Sequence, residues 1–367
     1  MTKHSEHEAG RDAAHVGVGI VGDTGMVGSE IDRLLSGHGG VNVVYRRNSS
    51  RTIGDVNDCK LVFLATKDME SMRCAPMLLD AGVKVIDMSG AFRIGRSDFE
   101  HWYGMGHTAP ELISEAVYGL PAVFADEIAR ARLVAAPGCY PTAVILALRP
   151  LWGLVSGEAV VFATSGNSGA RRGVEADSNE ISYAYGTMHK HVPEMHKYTG
   201  YRIDFNPIVL RSVYRGINAV IRIGLSDELK TLDARTAGER IEDAIRAAYR
   251  AEDLVYLAQD FVNSVQDSVN SVQGKELLAQ DKVVHGKDLL AQDKVVHVKD
   301  LLAQSPTEFR CGTRDVNGTN KMLINVYVEN GFAYINVLID NLYKGAAGQA
   351  VEDMNLMLGF PRLQGVI

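Results

Sequence analysis

A glycine-rich string between an apolar run and a helical segment is the feature that most limits how this chain can fold. Residues 16–21 are apolar, residues 22–28 have glycine at every third position, and residues 29–35 have helical character. Glycines at this spacing allow a tight turn from strand to helix and leave the helix N-terminus open to an anion. The pattern predicts the first β–α unit of a parallel sheet, preceded by a disordered tail over residues 1–14.

Short apolar runs recur along the first third of the chain, separated by helical or loop stretches such as residues 69–81. The runs lie at 41–45, 61–65, 83–88 and 133–136. This alternation is typical of a parallel sheet with helices on both faces. It predicts an α/β fold whose first domain, residues 15–140, is a Rossmann-type doubly wound domain.

Beyond residue 140 the runs are longer and richer in β-forming residues. They lie at 159–164, 208–213, 216–225, 323–329 and 332–339. This pattern predicts a second, α+β domain over residues 141–340, built on a mixed or antiparallel sheet. Residues 341–367 are predicted to close the chain with an amphipathic helix over 344–358.

A short tandem repeat interrupts the second domain. Residues 277–285 return twelve residues later as 289–297, which is too short a unit and too few copies for a solenoid. We interpret residues 260–304 as an insert that arose by duplication and that the core does not need. It is either a surface excursion, which costs little entropy and is favoured, or an amphipathic helix that contacts a partner.

The charge balance and the cysteines exclude several classes of protein. The net charge of −7 argues against general affinity for nucleic acid or an anionic membrane, and no apolar run is long enough to span a bilayer. The four cysteines have no CxxC spacing, so free thiols in a reducing compartment are expected. Because the first fifteen residues are polar and lack a signal-peptide core, we expect a cytoplasmic protein.

Cys139 is the strongest candidate for a nucleophile. It follows Gly138 at the junction between the apolar run 133–136 and the helical run 143–148, and Pro137 and Pro141 stiffen this turn. A thiol at such a junction feels the positive end of the helix dipole, so we expect its pKa to be lowered. On residue type alone, a buried structural cysteine is the alternative.

A second string, His189-Lys190-His191-Val192-Pro193-Glu194, supplies groups that exchange protons. We predict that one histidine acts as general acid and base beside Cys139, and that Glu194 orients its imidazole. The two histidines could also bind a metal, but no third ligand has suitable spacing, so no metal is predicted.

The glycine string and the basic loop at residues 46–51 predict a dinucleotide cofactor. Guanidinium and hydroxyl groups in that loop suit a 2′-phosphate, which favours NADPH over NADH, although a solvated basic loop is the alternative. Asp23 would repel a pyrophosphate unless it turns outward or caps the helix. The expected cofactor contacts are Gly22, Thr24, Gly25, Met26, Val27, Gly28, Arg46, Ser49, Arg51, Ser168 and Gly169.

Three residues are candidates for holding an anionic substrate. Ser165 and Arg171 belong to the loop 165–173, which offers amide donors and cations that can cradle an anion. Arg93 is the third candidate because its guanidinium can grip a carboxylate or a phosphate. A surface salt bridge is the alternative use of Arg93.

Together, the strings at 137–143, 189–194, 318–320 and 344–350 resemble the N-acetyl-gamma-glutamyl-phosphate reductase family, and the resemblance covers residues 16–257 and 306–361. The family shares its fold and cysteine chemistry with aspartate-semialdehyde dehydrogenase. The resemblance implies that Cys139 displaces phosphate from an acyl phosphate and that hydride from NADPH reduces the thioester to a semialdehyde, in arginine biosynthesis. It also implies proton transfer by His189, which we favour, or His191, a final helix that returns to the cofactor domain, and a homo-oligomer, a dimer or a tetramer.

The motifs leave the substrate open. Sister reductases act on aspartyl phosphate or on LysW-linked aminoadipyl phosphate and share these strings. A non-catalytic NADP-binding scaffold, with the insert as a docking arm, is the alternative from another class. The presence of Cys139, His189, His191 and Glu194 argues against it.

Overall fold

The computed structural model describes residues 15–169, 180–261, 263–264 and 311–366. The predicted tail at 1–14, Arg171, and almost all of the predicted insert lie outside the described residues. The described chain forms two sheets, and helices pack against each of them.

The first sheet contains seven strands among the described residues, in the order β3-β2-β1-β4-β5-β7-β6. All neighbouring strands are parallel except β2 and β3, which are antiparallel. The strands are β1 Val16–Val21, β2 Val41–Arg47, β3 Thr52–Ile53, β4 Leu61–Leu64, β5 Lys84–Asp87, β6 Val117–Tyr118 and β7 Leu133–Ala135. The apolar runs of the sequence are therefore the buried central strands, as expected for a parallel sheet covered on both faces.

Helices cover both faces of the first sheet, which confirms the doubly wound prediction. Ile31 of α1 packs against Val18 and Ile20 of β1, whereas Met72 of α2 packs in a separate cluster with Val62 of β4. The helices of this domain are α1 Met26–Leu35, α2 Asp68–Asp80, α3 Arg96–Tyr103 and α4 Pro121–Arg130.

The second sheet is mixed, as predicted, with the order β12-β13-β14-β11-β8-β10-β9 among the described strands. Its helices are α5 Cys139–Leu148, α6 Val192–Thr199 and α7 Ala234–Ala248. Its strands are β8 Val155–Gly166, β9 Glu180–Ser182, β10 Arg202–Leu210, β11 Ile217–Leu225, β12 Val255–Leu257, β13 Met322–Glu329 and β14 Phe332–Ile339.

The predicted strand at 208–213 is wrong in its position. The strand β10 begins at Arg202 and ends at Leu210, where the Val213 N–H donates to the Leu210 carbonyl and closes a turn. The first half of β10 alternates polar and apolar residues, because Ile203 and Phe205 face the core while Arg202 and Asp204 do not. A search for continuous apolar runs misses a strand of this kind.

The end of the chain packs against the first domain. A π-helix over Tyr343–Ala347 leads into α8, Gly348–Leu358, and Met354 of α8 packs with Ile31 of α1. The prediction that this helix is amphipathic is wrong, because its polar residues, including Glu352, are buried as well. No helix of the described ranges is long and apolar enough to cross a bilayer.

Candidate active site

A cavity of about 660 Å³ collects the predicted residues from both domains. The glycine string contributes its second half to the cavity wall, and Cys139 lies in the same wall. The predicted residues that line the cavity are Gly25, Met26, Val27, Arg93, Cys139, Ser168, Gly169 and His191. The structure therefore places the candidate nucleophile and the candidate dinucleotide loop around one space.

The glycine string forms a cradle that only glycine can build. Gly22 has a φ of +90°, and a Cβ at this position would overlap the carbonyl oxygen of Ala65. A Cβ at Gly28 would overlap the carbonyl oxygen of Gly22, so the helix could not approach the strand. Gly25 is the N-cap of α1, and no side chain of the described residues caps this end. The open helix N-terminus fits the pyrophosphate of a dinucleotide.

The carboxylate of Asp23 contacts the loop between β2 and β3. It accepts hydrogen bonds from Asn48 at 2.7 Å and from Arg51 at 3.0 Å. Burial raises the pKa of Asp23, but these hydrogen bonds outweigh it and the pKa lies below its usual value. Asp23 therefore ties the loop between β2 and β3 to the glycine string, and its charge is already paired.

The three predicted residues of the basic loop have different surroundings. Arg46 donates to Asp32 at 2.6 Å and to the Val43 carbonyl at 3.0 Å, and it lines another cavity, of about 430 Å³. Arg51 and Ser49 lie in the loop after β2, and about half of the Arg51 side chain is exposed. The structure therefore separates Arg46 from the cavity that contains Cys139.

Cys139 is the first residue of α5, directly after the N-cap Gly138. The enclosed position desolvates the thiol and raises its pKa to about 11, although the Tyr140 N–H and the Arg93 charge act in the opposite direction. The prediction of a lowered pKa is therefore wrong for the free protein, because desolvation exceeds the effect of the helix N-terminus. A thiol in this state needs a base before it can attack. All four cysteines are free thiols, as predicted.

His191 lies against the turn that presents Cys139. A Cβ at Gly138 would lie 2.7 Å from Nε2 of His191, so glycine is required for this contact. Nδ1 of His191 is buried and has no hydrogen-bond partner in the described part of the chain. Burial, with the nearby charges of His189, Arg93 and Lys190, holds the pKa of His191 well below its usual value. The ring is therefore neutral near pH 7 and can accept a proton.

His189 lies behind His191 and does not belong to the cavity wall. Its Nδ1 accepts a hydrogen bond from the His191 backbone N–H at 3.1 Å, and the two ring centroids are 4.7 Å apart. Burial and the charge of Lys190 lower the pKa of His189 to about 4. The geometry favours His191 over His189 as the group that reaches the cavity.

Glu194 does not orient an imidazole, which corrects the prediction. Its Oε1 accepts hydrogen bonds from the Tyr118 hydroxyl at 2.7 Å and from the Gly138 N–H at 2.9 Å, and its Oε2 lies 3.4 Å from Nη1 of Arg93. Arg93 is almost completely buried, and a buried cation needs a counter-charge. The carboxylate is therefore committed to Arg93 and to the turn before Cys139.

The remaining predicted substrate residues differ in position. Arg93 lines the cavity, and its Nε is buried without a partner among the residues described. Ser165 is buried outside the cavity wall, where its hydroxyl donates to the Gly166 carbonyl at 3.1 Å. Ser168 is held by Asn341, whose amide donates to the Ser168 hydroxyl at 3.0 Å.

The cavity wall also contains residues that the sequence did not single out as site residues, among them Lys190, Asn341 and Gly345. Lys190 lies between the two histidines of a string that was singled out, so its position carried the signal. Gly345 belongs to the string at 344–350, and a Cβ there would lie 2.7 Å from the Cβ of Cys139. The close approach of the π-helix to Cys139 therefore requires glycine.

Comparisons with known proteins relate both domains to one group of enzymes. Residues 47–131 match the family described as semialdehyde dehydrogenase, NAD binding domain, and residues 139–283 match the semialdehyde dehydrogenase dimerisation domain. Two similar proteins are named N-acetyl-gamma-glutamyl-phosphate reductase. The protein of Nitrosospira multiformis is 34% identical over 94% of this chain and 96% of its own length, and that of Nitrosomonas eutropha is 33% identical over 96% and 98%.

Solved structures show the same fold. Aspartate semialdehyde dehydrogenase II of Vibrio cholerae has a TM-score of 0.63 at 17% identity, covering 94% of this chain and 99% of that chain. Aspartate semialdehyde dehydrogenase of Candida albicans, solved with NADP, has a TM-score of 0.60 at 13% identity over 94% and 99%. With relatives above 30% identity along nearly its whole length, the chain belongs to the N-acetyl-gamma-glutamyl-phosphate reductase family of the semialdehyde dehydrogenases.

Proposed function

We propose that the protein uses NADPH to reduce N-acetyl-L-glutamyl 5-phosphate to N-acetyl-L-glutamate 5-semialdehyde and phosphate, a step of arginine biosynthesis. The observation that carries the proposal is that Cys139 and His191 share one cavity with the N-terminus of α1. The names of the relatives support the choice of substrate.

The first half-reaction forms a thioester on Cys139. His191 accepts the thiol proton, and Sγ attacks the acyl carbon of the substrate. The bond between this carbon and the phosphate oxygen breaks, and the phosphate leaves with the proton that His191 passes on. Burial lowers the pKa of His191 and keeps the ring neutral in the free protein, so it begins each turnover as a proton acceptor.

The second half-reaction releases the aldehyde. When bound, the nicotinamide supplies a hydride to the acyl carbon. The bond between carbon and Sγ then breaks as the carbonyl re-forms, and the Cys139 thiolate takes a proton from solvent through His191. One hydride and one proton are thus consumed for each aldehyde formed.

Arg93 is proposed to hold an anionic group of the substrate. Its guanidinium lines the cavity, and the unpartnered Nε leaves one donor for a ligand. Ser168 and Gly169 line the same cavity and would offer a hydroxyl and backbone amides to the nicotinamide. Ser165 and Glu194 support the site from behind, and Arg171 is proposed as a further anion contact from the loop 165–173.

NADPH is proposed over NADH because the loop after β2 presents Ser49 and the half-exposed guanidinium of Arg51.

The protein is further proposed to act as a homo-oligomer, at least a dimer, through the open face of the second sheet. Its four free thiols suit the reducing cytoplasm.

The proposal is tested by NADPH oxidation with a panel of acyl phosphates. N-acetylglutamyl phosphate should be reduced by the wild type, and Cys139→Ser should abolish the reaction while NADPH binding is retained. Aspartyl phosphate and LysW-linked aminoadipyl phosphate are the comparison substrates. Unchanged turnover by Cys139→Ser would contradict the mechanism, and exclusive use of another acyl phosphate would reassign the substrate.

A further inference from the structure

The carboxylate of Glu194 connects two parts of the site that come from different elements. It is completely buried, it binds the backbone N–H of Gly138 at 2.9 Å, and it pairs with Arg93 at 3.4 Å. Gly138 is the N-cap that presents Cys139, and Arg93 is the proposed substrate cation. One carboxylate therefore sets the distance between the nucleophile and the substrate-binding group.

Tyr118 completes the set of donors around this carboxylate. Its hydroxyl donates to Oε1 of Glu194 at 2.7 Å, and its ring stacks on Tyr198 with centroids 3.7 Å apart. Burial and the Glu194 charge raise the pKa of Tyr118 well above its usual value, so the hydroxyl keeps its proton. Tyr118 thus fixes the carboxylate without competing for the Arg93 charge.

The helix α6 holds Arg93 at a second point. The Lys197 ammonium and the Tyr198 hydroxyl donate to the Arg93 carbonyl at 3.1 and 3.2 Å. The same helix has His191 as its N-cap and Glu194 in its first turn. The backbone and the guanidinium of Arg93 are therefore both held by the helix that carries the proposed base.

We propose that Glu194 and Tyr118 form a positioning pair that couples Arg93 to the turn presenting Cys139, an inference that rests on the proposed function. Without the carboxylate, the buried Arg93 cation loses its counter-charge and the Gly138 N–H loses its acceptor. Both groups then move together. Substitution of Glu194 and substitution of Arg93 therefore remove the same interaction. Their effects on activity should not combine as those of independent sites.

A double-mutant cycle tests this coupling. Glu194→Gln keeps the shape and can still accept from Gly138, but it places an amide against Arg93. We expect it to raise the KM for the acyl phosphate and to lower kcat/KM by on the order of tenfold to a hundredfold, with the KM for NADPH unchanged. Arg93→Lys should cause a similar loss. The double variant should have a kcat/KM only slightly below that of the less active single variant. A loss in the double variant equal to the product of the two single losses would overturn the proposal.

The matched control is Glu115→Gln, which removes the carboxylate of an exposed pair with Arg132. Combined with Arg93→Lys, it should show no coupling. Tyr118→Phe keeps the stacked ring and provides a second cycle if Glu194→Gln fails to fold, with the same non-multiplicative result expected. Losses that multiply in the Tyr118 cycle would overturn the part assigned to Tyr118.

Failure of the proposed function can be distinguished from failure of this inference. Wild type that leaves every acyl phosphate intact would refute the function alone. The rate at which iodoacetamide alkylates Cys139, read by peptide mass spectrometry, needs no substrate. Glu194→Gln should change this rate several-fold and Glu115→Gln should not, whereas equal rates in all three proteins would overturn the inference.

Discussion

The reactivity of Cys139 is set by two opposing effects on one sulfur atom. The helix N-terminus and Arg93 favour the thiolate, yet desolvation raises the pKa of the thiol to about 11. The raised pKa keeps Cys139 of the free protein as a thiol at neutral pH, and in the proposed mechanism His191 takes the proton when the nucleophile forms. This arrangement protects the thiol from oxidation and alkylation between turnovers.

The pH dependence of alkylation tests this state. Because the thiolate fraction rises about tenfold per pH unit below the pKa, we expect the alkylation rate of Cys139 by iodoacetamide to rise steadily between pH 7 and 10. The measurement is peptide mass spectrometry of the unliganded protein, with Cys139→Ser identifying the peptide. A rate that reaches a plateau near pH 8 would contradict the raised pKa.

The roles of the two histidines are distinguished by making the same substitution at each of them. His191→Asn should lower kcat by about a hundredfold to ten thousandfold, the usual contribution of a general acid and base. His189→Asn should have a smaller effect, because His189 contacts the His191 backbone and lies outside the cavity wall. The measurement is steady-state reduction of the acyl phosphate. A larger loss in His189→Asn would restore the preference that the sequence alone suggested.

The sequence strings located the candidate site residues but did not indicate which residues these would contact. Gly25, Cys139 and His191 lie in strings whose local spacing carries the chemistry, and the structure brings these together in one cavity. The partner of Glu194 was predicted wrongly because Gly138 and Arg93 are 56 and 101 residues away along the chain. A contact of this range, and a pKa that depends on it, leave no local pattern in the sequence.

At the scale of elements, periodicity predicted the existence of α8 but not its surroundings. Polar residues on a helix normally indicate a solvent-facing side. In α8, Glu352 is instead buried, 3.3 Å from the equally buried ammonium of Lys344, and Arg362 lies 3.3 Å from its other oxygen. Because these charges pair with one another inside the molecule, the polar residues of α8 do not mark a solvent-exposed side of the helix. The π-helix before α8 has no sequence signal beyond its glycine.

The loop between β2 and β3 makes a prediction about cofactor choice. Arg51→Gln removes the half-exposed cation, so we expect the KM for NADPH to rise about tenfold while the KM for NADH stays the same. Arg46→Gln is the control, because Arg46 is bonded to Asp32 outside the cavity that contains Cys139. Both constants come from steady-state assays with each cofactor. Equal effects of Arg51→Gln on the two cofactors would argue against a 2′-phosphate contact.

At the scale of the molecule, the two sheets differ in how many of their faces are covered. Helices cover both faces of the first sheet, whereas the second sheet packs only one face into the core, through residues such as Val161 and Ile221. Its other face carries Phe162 and Val220, which are paired across β8 and β11, and Tyr327 of β13. These side chains are 56%, 41% and 55% exposed. An open face with exposed apolar side chains in a dimerisation domain is suited to a second copy of the chain.

Val220→Arg tests this assignment, because an arginine beside Phe162 on the open face would place an unpaired charge in a twofold interface. We expect the wild type to sediment as a dimer or a larger assembly and Val220→Arg to sediment as a monomer with unchanged circular dichroism. Met77→Arg is the control, since Met77 is 62% exposed on α2 of the first domain. If Met77→Arg dissociates the assembly and Val220→Arg does not, the interface lies on the first domain. In that case the open face of the second sheet needs another partner, because its exposed apolar and aromatic side chains would otherwise promote aggregation.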